Sequence, residues 1–136
     1  SQTRTTNQSW DTVKCRVTGQ TIEPGHATLQ VTKTFGFDGF GNRSSETVTG
    51  VGMTARTTTT TWGTTGQFPH TVTNPLSQVT TMGYDFAHGV RTSLTDPNGI
   101  QTTYLLDARG RVVRENRPDG TAATWQYTDC YVLDDC

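Results

Sequence analysis

Trp10, Trp62, Trp125, Tyr84 and Tyr104 are the side chains here best suited to meet a ligand, because flat aromatic faces stack on sugar rings while short hydroxyls bond sugar hydroxyls. Trp10 and Trp62 are the candidate sugar contacts. Against this, the regular spacing of Tyr84, Tyr104 and Trp125 marks them as packing residues, which hide most of their area. Cys130, Cys136 and one of His26, His70 or His88 hold the right atoms for zinc, but the Cys-x5-Cys spacing is not that of a zinc knuckle and the histidines are scattered. No metal is assigned. Asp85 and Asp107 are not set apart as an acid and base pair and read as turn residues, and Gly36, Gly39 and Gly41 lack the strand-to-helix setting of a phosphate loop. No catalytic residue and no cofactor follow, and the expectation is a protein that is not an enzyme.

The elements that would hold these residues are written in the composition. Thirty threonines and fourteen glycines sit in 136 residues, with 31% apolar and 17% charged side chains. Threonine is β-branched and suits a pleated, half-wet surface, and glycine supplies the positive φ of tight turns, so strands joined by many turns are predicted. Eleven Lys and Arg against twelve Asp and Glu leave a net charge of −1, which gives no footprint for nucleic acid. No run approaches the ~20 apolar residues that would span a bilayer as a helix, so membrane insertion is not expected. Cys15, Cys130 and Cys136 are an odd number and form no disulfide framework, although a bridge between two of them would suit an exported protein.

A repeat organises the chain. Asn74-Pro75-Leu76-Ser77-Gln78 recurs twenty-two positions later as Asp96-Pro97-Asn98-Gly99-Ile100, and again as Arg117-Pro118-Asp119-Gly120-Thr121. Between these blocks lies a second turn, Tyr84-Asp85 with His88-Gly89-Val90-Arg91, then Leu106-Asp107 with Arg109-Gly110-Arg111. Phe37-Asp38-Gly39-Phe40-Gly41-Asn42-Arg43 is an earlier copy, and Trp62 with Gly66 is a degraded one. Two turns per unit predict one β-hairpin per repeat, with Pro97, Asn98, Gly99, Gly110, Pro118, Asp119 and Gly120 as turn formers. Side chains then alternate along each strand, and the spacing puts Met82, Tyr104 and Trp125 in one row and Trp62, Tyr84 and Leu106 in another. Tyr84, Tyr104, Leu106, Trp125 and Tyr127 are the expected packing residues between repeats. The fold class is all-β: an array of antiparallel β-hairpin repeats forming an extended twisted sheet. Residues 1–30 are expected to be irregular, 31–127 to be the hairpin repeats and 128–136 to be a tail.

From Tyr84 to Tyr127 the chain reads Tyr-Asp, Gly, Arg, Asp-Pro-x-Gly, Thr-x-Tyr, Leu-Asp-Ala-Arg-Gly-Arg and Arg-Pro-Asp-Gly-Thr. This resembles the Rhs or YD-repeat family, with Leu106 in place of the usual Tyr and Gly63 in place of the Asp. The resemblance implies a β-sheet strip that spirals into a shell around a toxic polypeptide, as in secreted bacterial effectors and insecticidal toxin complexes, or a cell-surface adhesion barrel. The family's aspartyl cleavage motif begins with the letters of Asp96-Pro97-Asn98-Gly99, but its catalytic context does not follow here. The expectation is therefore a segment of a shell or a short stand-alone member, secreted or on the cell surface. Its partners would be the rest of a larger polypeptide or its cargo, with a carbohydrate-binding or adhesion module as the alternative. Unpaired outer strands further lead to an expected edge-to-edge homodimer.

Overall fold

The structure, a computed structural model, describes residues 3–128. It is all-β, with no helix among the described residues. The strands are β1 (Thr6–Asp11), β2 (Arg16–Ile22), β3 (Val31–Phe37), β4 (Arg43–Gly50), β5 (Arg56–Trp62), β6 (Pro69–Thr73), β7 (Val79–Asp85), β8 (Val90–Thr95), β9 (Gln101–Leu106), β10 (Val112–Asn116) and β11 (Ala122–Thr124). The chain divides into two compact units, one ending at Thr80 and the other starting at Thr81. The first holds β1 to β6 and the second β7 to β11, with Val79 and Thr80 of β7 on the near side of the division. Within each unit neighbouring strands are antiparallel and lie in chain order.

Alternation sorts the side chains of the first unit sharply. One face carries the paired rows Thr21, Thr32, Thr49, then Gly19, Thr34, Thr47, Thr57, then Gly36, Ser45, Thr59, Thr73. The opposite face carries Ile22, Val31 and Gly50, then Lys33, Val48 and Arg56, then Phe35, Glu46 and Thr58. β-branched residues favour these pleated positions, and their cross-strand pairs are worth about 0.2–1 kcal/mol each. Hydroxyls of Thr47 and Thr57 lie 2.9 Å apart, and those of Thr61 and Thr71 2.6 Å apart. No hydrophobic side chain among the described residues is buried. Stability must therefore come from cross-strand pairs and turns, since within a unit each strand packs on its sheet neighbours.

Residues 1–30, where no period was legible, contain β1 and β2 paired from Thr6↔Ile22 to Asp11↔Arg16. The turn between them was hidden because Cys15, at φ 48°, occupies the left-handed place that glycine takes elsewhere. Most of the expected tail, with Cys130 and Cys136, lies outside the described residues.

The rows of large side chains also differ from those expected. Met82 pairs with Leu94, which pairs with Thr102, two residues short of Tyr104. Tyr104 pairs with Glu115, and Glu115 with Ala123, two short of Trp125. Each hairpin is thus staggered by two residues against the next, and the stagger accompanies a bulge beside the aromatic position: between Ser9 and Trp10, Gly36 and Phe37, Thr61 and Trp62, and Gly83 and Tyr84. A Cβ on Gly36 would run into the Ser45 hydroxyl, and one on Gly83 into that of Ser93, so small residues oppose each other at these bulges. Among the aromatics expected to pack, Tyr84 and Tyr104 are half-buried. Trp125 is 42% and Tyr127 45% exposed.

Three of the turns that join successive hairpins, those starting at Asn74, Asp96 and Arg117, share one geometry. Asp96 N–H donates to the Ile100 carbonyl and Gly99 N–H to the Asp96 carbonyl; Asn74 with Gln78 and Ser77, and Arg117 with Thr121 and Gly120, repeat the pair. Only the fourth residue is left-handed, at φ 79° in Gly99, 82° in Gly120 and 62° in Ser77. This is a type I turn closed by a left-handed residue, with Pro97 and Pro118 presetting φ at its second position. Gly99→Ala and Gly120→Ala are expected to cost about 1–2 kcal/mol each from the left-handed backbone alone, as no atom lies within 4 Å of the added Cβ. Gly110→Ala, where the His88 ring also occupies that space, is expected to cost more. Gly39→Ala, in open space, should stay within about 0.5 kcal/mol; equal thermal midpoints for all four would contradict the turn assignment.

Candidate functional site: capped turns and arginine–aromatic stacks

Four of the turns within hairpins are built on an aspartate, whereas Gly63 takes its place in the turn between β5 and β6. Asp38 Oδ1 accepts the N–H groups of Phe40 (2.9 Å) and Asn42 (2.8 Å), and Asp107 Oδ1 accepts those of Arg109 and Arg111 at 2.9 Å. Asp85 takes the His88 N–H at 2.9 Å, and Asp11 takes those of Val13 and Lys14 at 3.1 Å. A short carboxylate can reach its own turn in this way, which explains the Asp of each Asp-x-x-Gly. The same device recurs in a turn between hairpins, where Asp96 holds Asn98 and Ile100.

Neighbouring turns also touch. The Phe40 ring lies where a Cβ of Gly66 would be, and the His88 ring where that of Gly110 would be. Asn42 donates its side-chain N–H to the Gly66 carbonyl at 2.6 Å. Each pair joins one hairpin to the next.

The arginine after the turn completes the arrangement. Guanidinium carbons stand over rings in the pairs Arg16 and Phe37 (3.9 Å), Arg43 and Phe35 (3.8 Å), Arg91 and Tyr104 (5.4 Å) and Arg111 and Tyr127 (4.5 Å). Three of these cross from one hairpin to the following one. Trp62 donates its indole N–H to the Arg43 carbonyl at 3.0 Å, and Tyr127 its hydroxyl to the Val112 carbonyl at 3.0 Å. The two-residue stagger makes this possible: Arg91 pairs directly with Tyr84 and stacks on Tyr104 in the next strand. Leu106 pairs with Val112 on the same side.

The other sequence candidates are dispersed. His26 Nδ1 accepts the N–H groups of Thr28 and Leu29 at 3.2 Å, and His88 Nδ1 lies 3.1 Å from Asp85. Among the described residues no three His, Cys, Asp or Glu side chains gather as a metal site. Of the two candidate sugar contacts, Trp62 has its polar atom engaged, while Trp10 is 56% exposed on the outermost strand. The shallow hollow lined by Tyr84, Val90, Arg91, Tyr104 and Val112 belongs to the stacks themselves. The arrangement holds hairpins together, and sequence reasoning missed the arginines, although each follows the turn residue by one or two positions.

Hydrogen bonds hold four of the carboxyls below the ordinary 3.8. For Asp11 the foremost cause is the Lys14 N–H, for Asp85 the His88 N–H, for Asp107 the Arg111 N–H, and for Asp119 the Thr121 hydroxyl. A carboxyl lowered on folding stabilises the fold above its unfolded value, and that contribution is lost as pH falls through the folded value. The thermal midpoint is thus expected to hold from neutral pH down to about 4 and to fall below it, and Asp107→Asn should flatten the fall. A midpoint that rises on acidification would contradict the capping. Separately, a double-mutant cycle of Arg111→Ala and Tyr127→Leu is expected to show coupling of about 0.5–1 kcal/mol, against none if the stack is incidental.

Residues 87–122, from the turn after β7 to the start of β11, match the model of the family described as RHS Repeat. No curated protein matches the chain. The matched segment contains the Asp107 and Asp96 turns, Arg91 on Tyr104, and the β8 to β10 pairings, which are the features that recur over the rest of the described residues. Over that segment the chain is similar to the Rhs/YD-repeat family.

Proposed function

We propose that this chain is a non-enzymatic wall segment: a stretch of hairpin repeats that forms part of a shell around a toxin or effector polypeptide. The observation that carries the reading is the lack of any buried hydrophobic side chain among the described residues, although hairpins are joined repeatedly by stacks and capped turns. Such a sheet is made to be extended by like units and to have a face covered. The threonine and serine face of the first unit suits water, and the opposite face, with Phe35, Val31 and Val48, suits a covering polypeptide. A secreted or cell-surface location goes with this reading. A carbohydrate or adhesion role is less favoured, since Trp62 spends its N–H on the backbone and two pairs of threonine hydroxyls are spent on each other.

The test is the mass of the native polypeptide in its source cell, read by immunoblot with an antibody to residues 87–122. A product several times larger than 14.9 kDa that co-purifies with an enclosed, protease-protected polypeptide is expected. A product of 14.9 kDa would overturn the wall reading, because a few repeats cannot enclose anything.

A further inference from the structure

The turn between β8 and β9 carries a reactive pair. Of the five asparagines in the chain, Asn98 is the one followed by glycine, and both Asn98 and Gly99 are exposed. An asparagine side chain can be attacked by the backbone nitrogen of the next residue, and glycine, with no Cβ to hinder the approach, lets that nitrogen reach Cγ most easily. Beyond the adjoining residues, no atom lies within 4 Å of where a Cβ of Gly99 would be, so a five-membered ring has room to form. The equivalent places in the other two turns of this geometry hold Leu76-Ser77 and Asp119-Gly120, and neither has a side-chain amide.

The same turn also restrains the two reacting atoms. The Gly99 N–H donates to the Asp96 carbonyl at 3.0 Å, which fixes its nitrogen in the turn. The Asp96 carboxylate accepts the Asn98 N–H on Oδ1 at 2.8 Å, and its Oδ2 accepts the Asn98 side-chain N–H at 3.4 Å, so the amide is held against Asp96 and is not free to meet the Gly99 nitrogen. Oδ1 also accepts the Ile100 N–H at 2.9 Å, which closes the cap beyond the pair. Reaction then requires the turn to open, and its rate is that of the unfolded chain multiplied by the open fraction.

We propose that Asn98 is a site of spontaneous deamidation and that Asp96 is its guard. The Gly99 nitrogen gives up its proton and bonds to Cγ, the Cγ–Nδ2 bond breaks, and ammonia leaves with that proton; water then opens the ring at either carbonyl, giving aspartate or isoaspartate. Either product loosens the turn that formed it. Aspartate at this position sets a second carboxylate beside Asp96 where an amide donor stood, and isoaspartate lengthens the backbone by a methylene inside a turn that sets register. The β8–β9 hairpin thus carries a one-way timer, and this does not rest on the wall reading.

The experiment ages the 136-residue chain in mildly alkaline buffer and follows each asparagine by peptide mass mapping, with isoaspartate scored by a methyltransferase specific for it. In guanidinium chloride Asn98 is expected to be the first asparagine converted, and its surviving as long as Asn42 would overturn the site. In the folded chain conversion is expected to be slower by about tenfold or more, because the turn must first release N–H groups bound to a charged acceptor. Asp96→Ala should raise the folded rate toward the unfolded one and leave the unfolded rate unchanged; an unchanged folded rate would overturn the guard. Hydrogen exchange gives a second reading that needs no variant: the slowing of Asn98 on folding should match the protection of the Gly99 amide, and a protected Gly99 beside an Asn98 that converts at the unfolded rate would contradict the proposal. The thermal midpoint of the aged chain should fall while that of Asn98→Gln, aged alongside, holds. Equal midpoints after full conversion would overturn the timer.

Discussion

The carboxylate that folds back onto its own turn is the interaction on which the rest of this structure depends. In a domain with a packed core, a turn merely connects elements whose burial already fixes them. Here no hydrophobic side chain among the described residues is buried, so the turn must itself set which residues face each other. Asp38, Asp85 and Asp107 do this by taking backbone N–H groups two to four residues on, and the left-handed residue that follows closes the hairpin. A one-residue error would send Phe35 to the threonine face and Thr34 to the aromatic one. The turn therefore specifies the chemistry of both faces.

From the turn follow the bulge and the stagger, and from the stagger follows the stack. A bulge beside the aromatic position lets the strand carry two side chains opposite one, which explains why Gly36 faces Ser45 and Gly83 faces Ser93. The two-residue offset it accompanies brings the arginine of one hairpin onto the ring of the next. Cohesion is then passed from neighbour to neighbour, as in other repeat arrays, where stability is close to a sum over units and their interfaces. Length can then be added without redesigning a core.

Much of this was written in the sequence where a local rule applies. Asp96-Pro97-Asn98-Gly99 names its turn through the fixed φ of proline and the freedom of glycine, and the alternation from Gln101 to Leu106 names its strand. The β1–β2 hairpin was illegible because Cys15 carries out a glycine's task, and residue type alone does not reveal a left-handed backbone. The rows of aromatics were misplaced for a different reason: equal spacing along the chain fixes equivalence between repeats but not their offset in the sheet, which the bulges set. The small residue just before the aromatic, as in Ser9-Trp10, Gly36-Phe37 and Gly83-Tyr84, was the available signal. The arginines were visible in the motif, but a stack depends on the stagger and cannot be read without it.

Hydrogen exchange of individual amides tests the central claim most directly. The N–H groups of Asn42, Ile100 and Arg111 donate to carboxylates at a surface edge, where an unstructured amide would exchange freely. If capped turns hold the array, these amides are expected to be protected as strongly as the paired strand amides of their own hairpins, and to open together with them. Free exchange at these three positions beside protected strands would contradict the account, since the turns would then follow from the sheet and not determine it.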